Sequence, residues 1–217
     1  MSCSDTDIHQ LLGSNPLSPQ LSQYITNLAA AVSLHQPPTP EVKSYPDAIY
    51  FNYFSIGLSL LYAPKGGYKP TSRLKFDDIK HDKLSLDSIY VYNVPINQQT
   101  KGTSSRAAEL AFSTYPLLPL GLNITPESKD KEGKSISRPS KLDVHAETSG
   151  KDFVLALGEP DRKGGGAGPS SGSIGIWCEW TKDGIMVEFG GDEAKGPQAW
   201  ERGKDAIWKI ITVFSKR

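Results

Sequence analysis

Ile49-Tyr50-Phe51-Asn52-Tyr53-Phe54-Ser55-Ile56-Gly57-Leu58-Ser59-Leu60-Leu61-Tyr62 reads as two short strands joined at a glycine, and the chain writes the same pattern again at Ile176-Trp177-Cys178-Glu179-Trp180-Thr181-Lys182-Asp183-Gly184-Ile185-Met186-Val187-Glu188-Phe189. With residue 176 set on residue 49 the two stretches align without a gap, and Gly57 falls on Gly184. Successive side chains of a strand point to opposite faces. One face of the first hairpin therefore carries Ile49, Phe51, Tyr53, Leu58, Leu60 and Tyr62, and one face of the second carries Ile176, Cys178, Trp180, Ile185, Val187 and Phe189. The opposite faces are mixed, with Tyr50, Asn52, Ser59 and Leu61 on the first hairpin and Trp177, Glu179, Thr181, Met186 and Glu188 on the second. That alternation predicts antiparallel sheets covered on one side, with Lys182-Asp183-Gly184 as a hairpin turn. Burying each large apolar side chain is worth roughly 1.5–3 kcal/mol, enough for each hairpin to supply half a core.

The totals bound what the rest can be. The chain has 217 residues, 24 Lys plus Arg against 24 Asp plus Glu, so no global field favours nucleic acid. No apolar run is long enough for a membrane-spanning helix. The start, Met1-Ser2-Cys3-Ser4-Asp5, is polar and acidic, unlike a secretory leader, which sets the expectation of a cytoplasmic protein, recruited to membranes if at all. The 2 cysteines, Cys3 and Cys178, are too few for a disulfide framework; Cys178 is expected as a buried thiol. Asn123-Ile124-Thr125 is a formal glycosylation sequon, expected to go unused.

Around the hairpins the chain predicts helices first. Asp5-Thr6-Asp7 precedes Ile8, Leu11 and Leu12, a short helix with Asp5 or Thr6 as its cap and Gly13 as its stop. Ser18-Pro19 reads as N-cap and first turn of a second helix that turns Leu21, Tyr24, Ile25 and Leu28 inward and runs to about Leu34. A short strand is expected at Val42, another at Arg73–Phe76 and a longer one at Leu84–Asn93. Leu110–Ile124 carries Pro116 and Pro119 and is expected as an extended edge segment covering part of the second unit. Residues 126–147 read as a charged, Lys- and Ser-rich loop, its Lys129-Asp130-Lys131-Glu132 run solvated and mobile. Asp152 to Pro160 predicts a helix capped by Thr148 or Ser149, echoing the first. Arg162–Ser173 and Asp192–Gly203 read as loops, and Ala206–Phe214 as the last strand. The fold class expected is α+β: two tandem helix-plus-antiparallel-sheet repeats, residues 1–97 and 148–217, their sheets joined or packed as one body, with a connector at 98–147.

The order of Leu11-Leu12-Gly13-Ser14-Asn15-Pro16 before Ala48-Ile49-Tyr50-Phe51-Asn52-Tyr53-Phe54-Ser55-Ile56-Gly57 resembles the phagosome assembly factor family, in its C-terminal half. Asp152–Pro160 and Gly184–Phe189 resemble that family's second round of helix and hairpin. At the level of fold the layout is also similar to beta-lactamase inhibitor protein and to BamE-type outer-membrane assembly lipoproteins, which are binding modules. The resemblance implies an autophagy scaffold that docks a β-propeller protein and phosphoinositide membranes.

Residue chemistry offers several candidate sites. Tyr50, Leu61, Trp177, Met186 and Trp208 can form an aromatic patch on the mixed faces, where Trp and Tyr serve as interface anchors, unless other segments cover them. Arg162 and Lys163 open the glycine-rich stretch 164–172 and can touch an anion or a lipid headgroup; a flexible linker is the plainer reading, and the phosphate-loop pattern is absent. His9, His35, His81 and His145 lack metal-ligand spacing, so no metal and no cofactor is expected. His81-Asp82 near Asp77-Asp78, and Glu179 facing Glu188, could imitate acid–base pairs, although solvated side chains explain both. No nucleophile motif is present. The function expected is a non-enzymatic interaction module that binds a protein partner. An inhibitor or immunity-type protein blocking an enzyme through its sheet face is the alternative, and an enzyme working in a pocket between sheets is a third class.

Overall fold

The computed structural model describes residues 7–95, 109–129, 135–166 and 175–216. It is a mixed, mostly antiparallel structure with a large eight-stranded sheet and two two-stranded sheets, and three α-helices among the described residues. The chain divides into two compact units, Met1–Leu117 with Val213–Ser215 and Leu118–Thr212 with Lys216–Arg217.

The first unit opens on a 3-10 helix at Ile8–Leu11, where Asp7, rather than Asp5 or Thr6, accepts from the His9 N–H. Gly13 and Ser14 then exchange backbone hydrogen bonds with Leu86. Helix α1 (Pro19–Ala31) starts as its sequence demands. Pro19 needs no N–H partner in the first turn, and the Ser18 hydroxyl accepts from Leu21 N–H. Its buried set is Leu21, Tyr24, Ile25, Leu28 and Ala29, and it stops at Ala31, short of Leu34. Strands β1 (Glu41–Ser44), β2 (Ile49–Tyr53), β3 (Leu58–Pro64) and β4 (Leu84–Tyr92) pair antiparallel in that order. The apolar side of β2 and β3 is buried at all six positions read from the sequence.

The turn between β2 and β3 explains Gly57. A single 3-10 turn at Phe54–Ile56 ends with Gly57 at φ +58, and a Cβ there would collide with the backbone of Ser113 and Tyr115. Segment 112–115 therefore lies on the first unit: Phe112 packs on Phe54 of the hairpin with ring centroids 4.5 Å apart and stacks on Tyr92 of β4 at 3.7 Å, and the hydroxyls of Tyr115 and Tyr24 are 2.7 Å apart. The expectation that the whole of Leu110–Ile124 serves the second unit is corrected to that extent. Arg73–Phe76 is not a strand. Arg73 sits at φ +64, and 3-10 turns follow at Phe76–Asp78 and His81–Lys83.

In the second unit β5 (Leu120–Asn123) pairs with β8 (Lys141–Val144), and β6 (Glu127–Lys129) with β7 (Ser135–Ser137). The stretch read as a charged loop thus contains three strands, while residues 130–132 of its charged run lie outside the described residues. Helix α2 (Gly150–Leu157) begins with a capping box in which Ser149 N–H and Oγ both donate to the Asp152 carboxylate. Arg162–Gly164, read as loop, is strand β9, paired to β10 (Trp177–Trp180), which pairs with β11 (Ile185–Phe189). Ala199–Arg202 inside the expected loop is the short helix α3, and β12 (Trp208–Phe214) closes the chain. The apolar side of β10 and β11, with Ile176, is buried at every predicted position, around Phe153, which stacks on Trp180 and meets Phe189 edge-on.

Candidate functional site: a tyrosine-lined cleft

Among the described residues, the partly exposed face of the first unit carries a tyrosine-bearing surface feature. Strand parity and register put Tyr50, Asn52, Ser59, Leu61, Ser88 and Tyr90 on one side of β2, β3 and β4. Ser59 and Ser88 are small, so the Tyr50 and Tyr90 rings meet across β3 with centroids 6.4 Å apart. Tyr45 joins them from the β1–β2 turn, where Pro46-Asp47 sets the reversal, and lies edge-on to Tyr50 at 6.1 Å. Tyr45 is 49% exposed. Lys43, Tyr45, Asp47, Ala48, Tyr50 and Asn52 line a shallow, open cleft of about 430 Å³. At its edge Ser59 Oγ donates to Asn52 Oδ1 at 2.7 Å. Burial pushes the Tyr50 phenol above its ordinary pKa, with Tyr45 and the carboxylates of Asp47 and Asp87 adding to the rise, so it stays a neutral donor.

The sequence-predicted residues do not all arrive at a surface. Tyr50 and Leu61 are half-buried neighbours, cross-strand partners in the register. Trp177 and Met186 are half-buried on the second unit, and the Trp177 indole lies directly against Gly164 of β9. Trp208 is a correction: it is 1% exposed, and its indole N–H donates to the His145 carbonyl at 2.8 Å. Its strand is buried at five of seven positions, so alternation could not assign its face. Arg162 and Lys163 are exposed but engaged, Arg162 with Glu179 at 3.4 Å and Lys163 over the Trp200 ring at 5.5 Å. Residues 167–174 of the glycine-rich stretch lie outside the described residues, as does Cys3.

The candidate acid–base groups have structural surroundings. Glu179 faces Met186 and Glu188 faces Trp177, so the two glutamates are diagonal rather than opposite. His81 packs against Phe76 and Phe51 and its Nε2 bonds the Phe76 carbonyl at 3.0 Å. Burial pushes the Cys178 thiol up to about 11, against the pull of nearby Lys163, and Glu159 adds a smaller upward push. Among the described residues no group of three or more His, Cys, Asp or Glu could hold a metal ion, and no helix is long and apolar enough to cross a membrane.

One ionic site was not anticipated. Arg138, from the charged stretch, forms a two-pronged pair with Asp183 of the β10–β11 turn, at 2.8 and 3.1 Å, with both side chains at most 5% exposed. Arg138 also donates to the carbonyls of Leu157 and Thr125, and Asp183 accepts from Thr125 N–H. The pair ties the end of α2, the link between β5 and β6 at Thr125, and the β10–β11 turn into one knot. It is inaccessible, so it is structural. No family model, curated protein or solved structure matches this chain.

Proposed function

We propose that the protein is a non-enzymatic interaction module that binds a protein partner through the tyrosine-lined cleft of its first unit. The observation that carries this reading is the grouping of Tyr45, Tyr50 and Tyr90, partly exposed and backed by rigid sheet, beside a polar rim. Tyrosine offers large contact area with a polar tip and little conformational entropy to lose, and it recurs where binding energy concentrates. The openness of the cleft suits a partner's surface or segment better than an enclosed small substrate.

The two-repeat organisation belongs to the same proposal. The gapless match of the hairpins supports descent of both units from one helix-and-hairpin ancestor. So do Gly57 and Gly184, both left-handed at φ +58 and +66, and the Leu-Gly helix ends with Gly13 and Gly158 at φ +82 and +78. The phagosome-factor resemblance suggests a scaffold role and a β-propeller partner; the cleft reading does not depend on it.

The test is site-specific crosslinking. A photoreactive phenylalanine analogue at Tyr45, irradiated in native extract, is expected to give one dominant adduct, competed by unlabelled wild type and not by Tyr45→Ala/Tyr50→Ala. The same probe at Leu155, 72% exposed on the second unit, serves as control. Identical adducts from both positions, or none from Tyr45, would defeat the reading.

A further inference from the structure

The partner segment can be specified by chemistry, and this step rests on the cleft being a binding surface. The cleft presents tilted aromatic rings with hydrogen-bond donors between them. With Asn52 Oδ1 accepting from Ser59, the Asn52 carboxamide keeps its N–H2 for a ligand. Tyr45 and Tyr50 carry hydroxyls, and burial and nearby carboxylates hold the Tyr50 phenol neutral. A polyproline II segment is the complementary object. Proline has no backbone N–H, so its carbonyls stand as acceptors, its rings are flat apolar wedges, and the conformation is already extended, so little entropy is lost on docking.

Charge narrows the choice. Asp47 lines the cleft, Asp87 is the extra residue of the β4 bulge beside Ser88, the partner of Leu61, and both are exposed. Among the described residues neither has an ion pair, and Asp87 meets only the Ser88 hydroxyl at 2.8 Å. The cation at the rim, Lys43, is already beside Glu41 at 3.5 Å. The cleft is thus flanked by two carboxylates without cations, which suits a ligand carrying its own. We propose that the cleft binds a proline-rich peptide segment with an Arg or Lys next to its prolines, the rings of Tyr45, Tyr50 and Tyr90 taking the prolines and Asp47 and Asp87 taking the cation.

The experiment uses the full chain and a fluorescein-labelled peptide, Arg-Pro-Leu-Pro-Pro-Leu-Pro, in anisotropy titrations, beside versions with Ala for every Pro and with Glu for Arg. Binding of the first, at least tenfold weaker for each altered peptide and for Tyr45→Ala, is expected. The double variant Asp47→Lys/Asp87→Lys, exposed positions that leave the fold intact by circular dichroism, is expected to reverse the preference and favour the Glu peptide. In parallel, a random peptide display library is selected on wild type and counter-selected on Tyr45→Ala/Tyr50→Ala. Tyrosine-dependent peptides without proline would overturn this inference and leave the interaction reading standing. Proline peptides whose binding ignores the charge reversal would overturn the cation assignment. A library with no tyrosine-dependent peptide, and no binding of the labelled peptide, overturns the inference outright; the crosslink at Tyr45 then decides the broader reading separately.

Discussion

Asp183 and Arg138 show how much one pair of side chains can hold. Taking both charges out of water costs several kcal/mol each. The pair is tolerable because two short bonds join the ions and carbonyls take two more guanidinium protons. Nε of Arg138 is buried without a partner among the described residues, so the site has little slack for losing another bond. Asp183→Ala is expected to destabilise the second unit by about 3–5 kcal/mol, because it leaves a buried cation unpaired. The double change Arg138→Met/Asp183→Leu should recover most of that loss, since hydrophobic replacement of both ions is often neutral. Urea melts of the three chains, wild type and the two variants, check both statements; equal melting of the single and double variants would show that the charges are not coupled. Cys178 gives a second residue-scale expectation. Its thiol is held neutral up to about 11 by burial, so in a Cys3→Ser chain it should react with a disulfide reagent far more slowly at pH 8 than an exposed thiol, and the rate should climb with pH beyond 9, the usual thiol range.

At the scale of elements, two glycines separate backbone strain from steric conflict. Gly13 is left-handed at φ +82 with nothing near its absent Cβ, whereas Gly57 is left-handed and also pressed against segment 113–115. Gly13→Ala is expected to cost about 1–2 kcal/mol. Gly57→Ala should cost clearly more than the 1–3 kcal/mol typical of strain alone, because it also displaces the segment bearing Tyr115. Thermal melts that rank the two the other way would refute the account. Helix α2 adds a pH dependence. The Ser149 hydrogen bonds hold the Asp152 carboxyl below its ordinary 3.8. Its contribution is present above that value and is lost as pH falls through the lower folded-state pKa. Asp152→Asn should therefore be less stable than wild type at pH 7 and lose its disadvantage in more acidic solution. These devices also mark what the sequence could disclose. Ser18-Pro19, the Ser149 box and the alternation of both hairpins are local, and each was legible within a few residues. Strands β6 to β8 were not, because their Lys- and Ser-rich composition is that of a solvated loop, and the partner of Arg138 between them is a carboxylate 45 residues away. The site was half legible for the same reason. Tyr50 and Leu61 follow from strand parity, while Tyr45 and Asp47 sit in a turn whose position over the sheet no periodicity reports.

Across the whole molecule the two units are unequal in how the chain makes them. The second is almost a single run, but the first is completed by Val213–Ser215, contributed some hundred residues after the rest of it ends at Leu117. Val213 is fully buried, within a strand whose Ile211 is buried as well. A chain ended at Thr212 therefore leaves the first unit missing a core residue, and burial of such a side chain is worth roughly 1.5–3 kcal/mol. Truncation there is expected to lower protection against amide hydrogen exchange in β2 and β3, elements far away in sequence. Val213→Ala in the full chain should reproduce a smaller part of the same change. The cleft gives the functional side of this prediction, because Tyr50 and Asn52 belong to β2. If the tyrosine face depends on the completed unit, truncation should weaken binding of the proline peptide in step with exchange protection in β2. Binding that survives while β2 loses its protection would mean that the tyrosine surface is held by β1 and its turn alone.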